Sequence, residues 1–209
     1  MVGGWWLVAA VTRAALTGGI ATGKSHVRAR FETLGVPTID SDVLARDAVA
    51  PGTPGLAAVV RRFGNDVLSS DGSLARKRLG AIVFANAQAR RDLEGIIHPY
   101  VREATDRWFA SLDPQRHPFA LADVPLLFEA GRNQDFDAVI VAACEPATQL
   151  ERLMQRDELS ETEAKQRIAA QWPLVEKIAQ ADYVIFTDGT VEETNRRVDE
   201  LYERLTINH

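Results

Sequence analysis

The chain has 209 residues, 46% hydrophobic and 25% charged, with a formal net charge of −5. That length buries one good core with room for a small mobile lid, and the composition excludes a disordered chain. The acidic balance argues against wholesale nucleic-acid binding but not against a local basic pocket for phosphates. A lone cysteine, Cys144, excludes an internal disulfide or a thiolate metal cluster.

Trp5 to Val11 is an apolar run that Arg13 soon interrupts. It is too short to span a bilayer and lacks the preceding positive residues of a signal peptide. A lengthened first strand or an N-terminal extension accounts for it, and a cytoplasmic protein without membrane attachment is expected. The first strand is placed over Leu7–Thr17. It leads into Gly18-Gly19-Ile20-Ala21-Thr22-Gly23-Lys24-Ser25, which fits G-x-x-x-x-G-K-[ST], the phosphate-cradling loop of nucleoside-triphosphate enzymes. A helix over Ser25–Leu34 follows, with Val27, Phe31 and Leu34 at helical spacing and Gly35 as its C-cap. The loop thus joins a strand to a helix N-terminus, where backbone N–H groups and the helix dipole attract phosphate. Lys24 can reach the terminal phosphates and the Ser25 hydroxyl can ligate magnesium.

The second strand, Val36–Ile39, runs into Asp40-Ser41-Asp42. If that segment is extended, the two carboxylates point the same way. They then organise hydrated magnesium and accept a proton from an attacking hydroxyl; the competing reading is a helix N-cap. Helices are placed over Val43–Val49, Pro54–Phe63, Ala75–Phe84 and Ala87–Leu112, the last expected to kink or break at Pro99. This interval is too long for a simple crossover, so it is read as a helical subdomain over the carboxyl ends of the strands, the ligand edge of open α/β sheets.

The third strand is placed over Phe119–Val124. Its Asp123 is either a strand-end acid that contacts magnesium or a cap for the next turn. Strands at Ala138–Ala143 and Tyr183–Phe186 follow, with helices beginning near Ala147, Glu161 and Val191, two of them with capping boxes, Ser160-x-x-Glu163 and Thr190-x-x-Glu193. Arg152 and Arg156 share a helix face; they form either lid arginines that close on β and γ phosphates or surface pairs with Glu151, Asp157 and Glu158. Cys144 reads as a small buried hydrophobe. His26, His117 and His209 have no partners at metal-ligand spacing, and Asp92-x-x-Gly95 is an accidental match to a GTPase motif. Alternation of strand and helix throughout specifies an α/β fold, a parallel sheet with helices on both faces.

Together these segments resemble the dephospho-CoA kinase family, from about Leu16 to Leu201. The resemblance rests on the phosphate loop, Ile39-Asp40-Ser41-Asp42, Phe63-Gly64, Asp71-Gly72 with Leu74 and Arg76, His98-Pro99 and Pro125-Leu126-Leu127-Phe128-Glu129. It closes with Gln149, Arg152, Arg156-Asp157, Gln171 and Ala181-Asp182. It implies a five-stranded parallel sheet of the nucleoside-monophosphate-kinase type of phosphate-loop fold. A helical CoA-binding insertion falls at about 53–115 and a lid at about 147–171.

The implied reaction passes the γ-phosphoryl group of ATP to the ribose 3′-hydroxyl of dephospho-CoA. ATP and Mg²⁺ are the implied cofactors, and a monomer or weak homo-oligomer is expected. By position, Asp42 is the implied base and Asp40 its magnesium-organising neighbour. Ser25, Asp40 and Asp123 form the metal set, and Lys24, Asp42, Arg152 and Arg156 the catalytic set. Gly18 through His26, with Thr187, hold the nucleotide. Asp42, His98, Pro99 and Leu126, Leu127, Phe128 and Glu129 line the acceptor side.

The chain departs from the family at Ala21, where glycine is usual, and at Thr22, Ala75 and Thr187. Alanine at position 21 is tolerable if that residue avoids positive φ. Thr187 stands where an asparagine is common, near the adenine in the family fold. A phosphate-loop kinase for another acceptor and a nucleotide-binding regulator without catalysis are the competing readings.

Overall fold

The computed structural model describes residues 10–207. Most of the N-terminal apolar run, including the expected strand start at Leu7, lies outside the described residues, as does His209. The first strand, β1, covers Thr12–Gly18 and is followed by α1 (Lys24–Thr33). Next come β2 (Thr38–Asp40), α2 (Ser41–Asp47), α3 (Pro54–Phe63), α4 (Arg76–Ala85) and α5 (Ala87–Ala110). The remainder is β3 (Phe119–Asp123), β4 (Ala138–Ala143), α6 (Pro146–Asp157), α7 (Glu161–Ala169), α8 (Leu174–Ala179), β5 (Tyr183–Phe186) and α9 (Val191–Ile207). The sheet runs β2-β3-β1-β4-β5 and is parallel, with Ala14 opposite Leu121 and Leu16 opposite Ile140.

The chain divides into two compact units, Asp40–Ala110 and the remainder. In the sheet unit, every residue of β3 and β4 and the last five of β1 are buried. That is why these strands are continuously apolar: helices cover both faces, so no side of the strand meets water. Leu16, Phe31, Phe119, Ile140, Ile185 and Val198 share one core cluster. Phe31 of α1 meets Phe119 of β3 edge to face at 6.0 Å. Arg30 donates through Nε and Nη2, each at 2.7 Å, to the two carboxylate oxygens of Asp199, tying α1 to α9. Gly35, at φ 82°, ends α1 in the left-handed region that only glycine enters without strain. Both expected capping boxes, Ser160 with Glu163 and Thr190 with Glu193, form.

The helical unit has its own core around Val49, Val59, Val67 and Leu79. Thr53 caps α3, its hydroxyl accepting from Leu56 N at 3.1 Å. A Cβ on Gly55 would overlap the Ala48 carbonyl, so the close approach of α3 to the end of α2 demands glycine there. The break expected at Pro99 does not occur: α5 is continuous for 24 residues. Proline removes one N–H and crowds a carbonyl, at about 3 kcal/mol. The burial of Ala89, Val101, Thr105 and Phe109 along the same helix offsets that cost.

Candidate active site

Gly18 closes β1 and the loop turns to Gly23, the N-cap of α1. No side chain caps α1, so its first N–H groups face the loop's concave side without a protein acceptor from a capping side chain. The loop is held from several directions. Gln149 Nε2 donates to Ile20 O at 2.8 Å, and Ile20 N donates to Gln171 Oε1 at 2.8 Å. The Thr22 hydroxyl donates to Gly19 O at 2.9 Å, and Thr187 Oγ1 donates to Thr22 O at 2.9 Å. A Cβ on Gly19 would sit 2.6 Å from Gln149 Nε2, so glycine is needed for the clamp to close.

Ala21 sits at φ 60°, in the left-handed region. The condition under which alanine was expected to be harmless is therefore not met. An L-residue there is strained by roughly 1–2 kcal/mol, and the clamps on Ile20 and Thr22 hold it in place.

Lys24 forms an ion pair with Asp123 Oδ1, and Arg28 Nη1 reaches Asp123 Oδ2 at 3.1 Å. Asp123 is thus a buried acid at the strand end with a cation on each oxygen, not a turn cap. Ser25, next to Lys24 in sequence, is exposed on α1. Among the described residues no cluster of three or more His, Cys, Asp or Glu could hold a metal by itself. The oxygen donors Ser25 and Asp123 fit a hard cation such as Mg²⁺, which keeps most of its water and phosphate ligands. His26 engages Asn195 Oδ1 through Nε2 at 2.9 Å.

A cavity of about 800 Å³ opens over the loop, walled by Gly18 through His26 together with Arg152, Arg156, Gln171, Thr187 and Val191. Both arginines of α6 face it, by different means. Arg152 donates to Thr187 Oγ1 at 2.9 Å and Thr187 O at 2.8 Å. Arg156 is paired with its neighbour Asp157, at 2.8 Å, as is Arg167 of α7, at 2.8 Å. Hydrogen bonding from Arg156 holds the Asp157 carboxyl below the usual carboxylate range. Cys144 is buried, which pushes its thiol up, away from nucleophilic use.

The segment after β3 departs from expectation. Leu127 and Phe128 are buried, Phe128 stacking parallel to Trp172 at 6.2 Å; only Leu126 is half exposed. Glu129 Oε1 faces Lys177 Nζ at 2.7 Å and accepts from Trp172 N at 3.1 Å. The turn that follows β3 rolls Leu127 and Phe128 into the unit's interior and leaves Leu126 on its surface.

In the helical unit, Asp40 is the N-cap of α2 and accepts from Asp42 N at 2.8 Å. Asp42 is exposed in the first helical turn, so the two acids are not alternate residues of one extended segment. Asp42 lines a smaller cavity of about 300 Å³ with Arg46, Arg76, Leu79, Val83 and Ile97. His98 and Pro99 lie on α5 but do not wall it.

Sequence reasoning gave no role to Gln149, Gln171, Lys177, Arg28 or Arg46. For Arg28 a signal existed: it follows Lys24 by four residues on α1 and so shares its face. For Lys177 there was none, because α8 was not foreseen.

A central parallel strand that delivers a phosphate loop to a helix N-terminus, with arginines over the same cavity, defines a phosphate-loop nucleotide-binding protein of the kinase type. The dephospho-CoA kinase family model matches residues 13–193. A dephospho-CoA kinase of Shouchella clausii is 47% identical over 89% of this chain and 94% of its own length. A dephospho-CoA kinase domain-containing protein of Danio rerio is 46% identical over 91% of this chain and 83% of its own. The dephospho-CoA kinase structure from Campylobacter jejuni superposes with a TM-score of 0.64 at 26% identity, over 93% of this chain and 97% of that one. The Thermus thermophilus structure of TT1252 gives 0.79 at 28% identity, over 94% and 98%. The chain belongs to the dephospho-CoA kinase family, whose members phosphorylate dephospho-CoA with ATP in the last step of CoA biosynthesis.

Proposed function

We propose that this chain transfers the γ-phosphoryl group of ATP to the 3′-hydroxyl of the ribose of dephospho-CoA, giving CoA and ADP. The observation that carries the reading is the phosphate loop itself. Its backbone is pinned by Gln149, Gln171 and Thr187, and it carries Lys24 at an uncapped helix N-terminus. Such pre-placed donors need no reorganisation when charge develops on the transferring group.

Lys24 exchanges Asp123 for the terminal phosphates when ATP enters. Arg28 stays on Asp123, so the buried acid is not left without a counter-charge. Arg152 and Arg156 close on the β and γ phosphates, Arg156 giving up an exposed pair of small value to do so. The nucleotide lies along Gly18 through His26, with Thr187 at its base-proximal end. Ser25, with Asp123 and Asp40 in support, would hold magnesium, which would supply charge neutralisation at the phosphates. Asp42 positions the acceptor hydroxyl and takes its proton. The cavity that Asp42 lines offers apolar walls with Arg46 and Arg76 for an acceptor that joins a flexible arm to phosphates. Leu126 and His98-Pro99 belong to the acceptor side by resemblance. Among the described residues no helix is long and apolar enough to cross a membrane.

The test is Asp42→Asn in a coupled ADP-release assay with ATP, magnesium and dephospho-CoA. Turnover falls by about 10²–10⁴ while ATP affinity holds. Full activity in the variant removes Asp42 as base, and no CoA from the intact protein removes the reaction.

A further inference from the structure

Lys177 is wholly buried, more so than any other charged side chain among the described residues. It lies on α8, and its ammonium group has two oxygen partners. Glu129 Oε1 is 2.7 Å away and Gly18 O, at the start of the phosphate loop, is 3.3 Å away. The Glu129 oxygen also accepts from Trp172 N at 3.1 Å, and Phe128 stacks on the Trp172 ring. The residue before Trp172 is Gln171, which accepts from Ile20 N. A continuous ring results: Gly18, Lys177, Glu129, Trp172, Gln171, Ile20. It begins and ends on the same three-residue stretch of the phosphate loop, and it passes through the segment that returns from α7.

Burying the Lys177 charge against a Glu129 side chain that is only 20% exposed costs several kcal/mol before their attraction is counted, and apolar residues of similar volume would hold helix to sheet more cheaply. What an ion pair adds is direction. Lys177 fixes where the Gly18 carbonyl points, and Glu129 fixes where Gln171 presents its amide oxygen to Ile20. We propose that Lys177 and Glu129 are positioning residues for ATP: the ion pair sets the Gly18–Ile20 backbone in the arrangement that receives the phosphates. This rests on the reading of the loop as the ATP cradle. It also moves Glu129 from the acceptor side, where the resemblance puts it, to the donor side.

The experiment measures ATP affinity by isothermal titration, without acceptor, for wild type, Lys177→Met and the near-isosteric Glu129→Gln. The KM for dephospho-CoA is measured at saturating ATP. Titration stoichiometry counts folded molecules, so a folding defect lowers the number of sites while a positioning defect changes Kd. Both variants are expected to bind ATP roughly tenfold more weakly per folded site, the loss of about one charged hydrogen bond, with KM for dephospho-CoA unchanged. Wild-type Kd in the folded fraction of either variant overturns the proposal. So does a Glu129→Gln defect confined to the dephospho-CoA KM. Failure of the wild type to bind ATP would instead sink the cradle reading itself.

Discussion

The two cavities of this chain are walled in different ways, one in each unit. Around the phosphate loop, Gln149, Gln171, Thr187, Arg152 and Lys177 each bond a named backbone atom. In the helical unit, Asp42 stands exposed and the nearby cavity is walled mainly by Leu79, Val83, Leu93 and Ile97. The first arrangement is rigid before any ligand arrives; the second offers shape and apolar surface. The difference fits the proposed division, in which the loop receives the donor and the helical unit the acceptor. A triphosphate presents a fixed array of charge that rewards pre-placed donors. An acceptor with a long flexible arm gains more from apolar burial.

The sharpest way to break this comparison is to remove chemistry from each side. Asp42→Asn is expected to lower turnover by about 10²–10⁴ with ATP affinity unchanged. Lys24→Met is expected to lower it by about 10²–10³, with weaker ATP binding as well. Steady-state kinetics paired with titration separates them; equal losses of ATP affinity would erase the division into donor and acceptor halves.

The two arginines of α6 sharpen it next. Arg152 anchors Thr187, so Arg152→Ala should lower both turnover and melting temperature. Arg156 is exposed and paired only at the surface, so Arg156→Ala should lower turnover while stability moves by under about 1 kcal/mol. Thermal melts of the two variants side by side decide this. Ala21→Gly is a smaller effect in the opposite direction. Relief of positive φ should outweigh the added chain entropy and raise stability by about 0.5–1 kcal/mol, read by urea unfolding.

The smallest effect lies far from the loop. Hydrogen bonding from Arg30 holds the Asp199 carboxyl below the usual range. A carboxyl lowered in the folded state adds stability above its unfolded value, and that contribution disappears as pH falls through the folded one. Asp199→Asn should therefore narrow the gap between melting temperatures near neutral pH and at about pH 3. An unchanged gap would remove the α1–α9 pair from the acid response.

Much of the sheet unit was legible because β3, β4 and most of β1 are buried on both faces. Phe119–Asp123, Ala138–Ala143 and Tyr183–Phe186 are short apolar runs that admit few other readings. The loop was legible because its glycines and Lys24 stand at fixed spacing. What could not be read were long-range polar contacts. Nothing in the sequence near Lys177 signals a carbonyl 159 positions away. α8 is six residues long, too short to show a period. For Asp40 and Asp42 the sequence left two readings open, and the N-cap reading is the one that forms, because the helix begins at Ser41, directly after the strand ends. At Pro99 the helix does not break: packing along α5 overrode a local breaker.

One measurement tests the central claim most directly: ADP release from ATP and magnesium by the purified protein, with dephospho-CoA, shikimate and a nucleoside monophosphate supplied in turn, and the product identified by mass. The account predicts ADP release with dephospho-CoA alone, and CoA as the product. ATP binding with no release on dephospho-CoA, or faster release on either other acceptor, would contradict it.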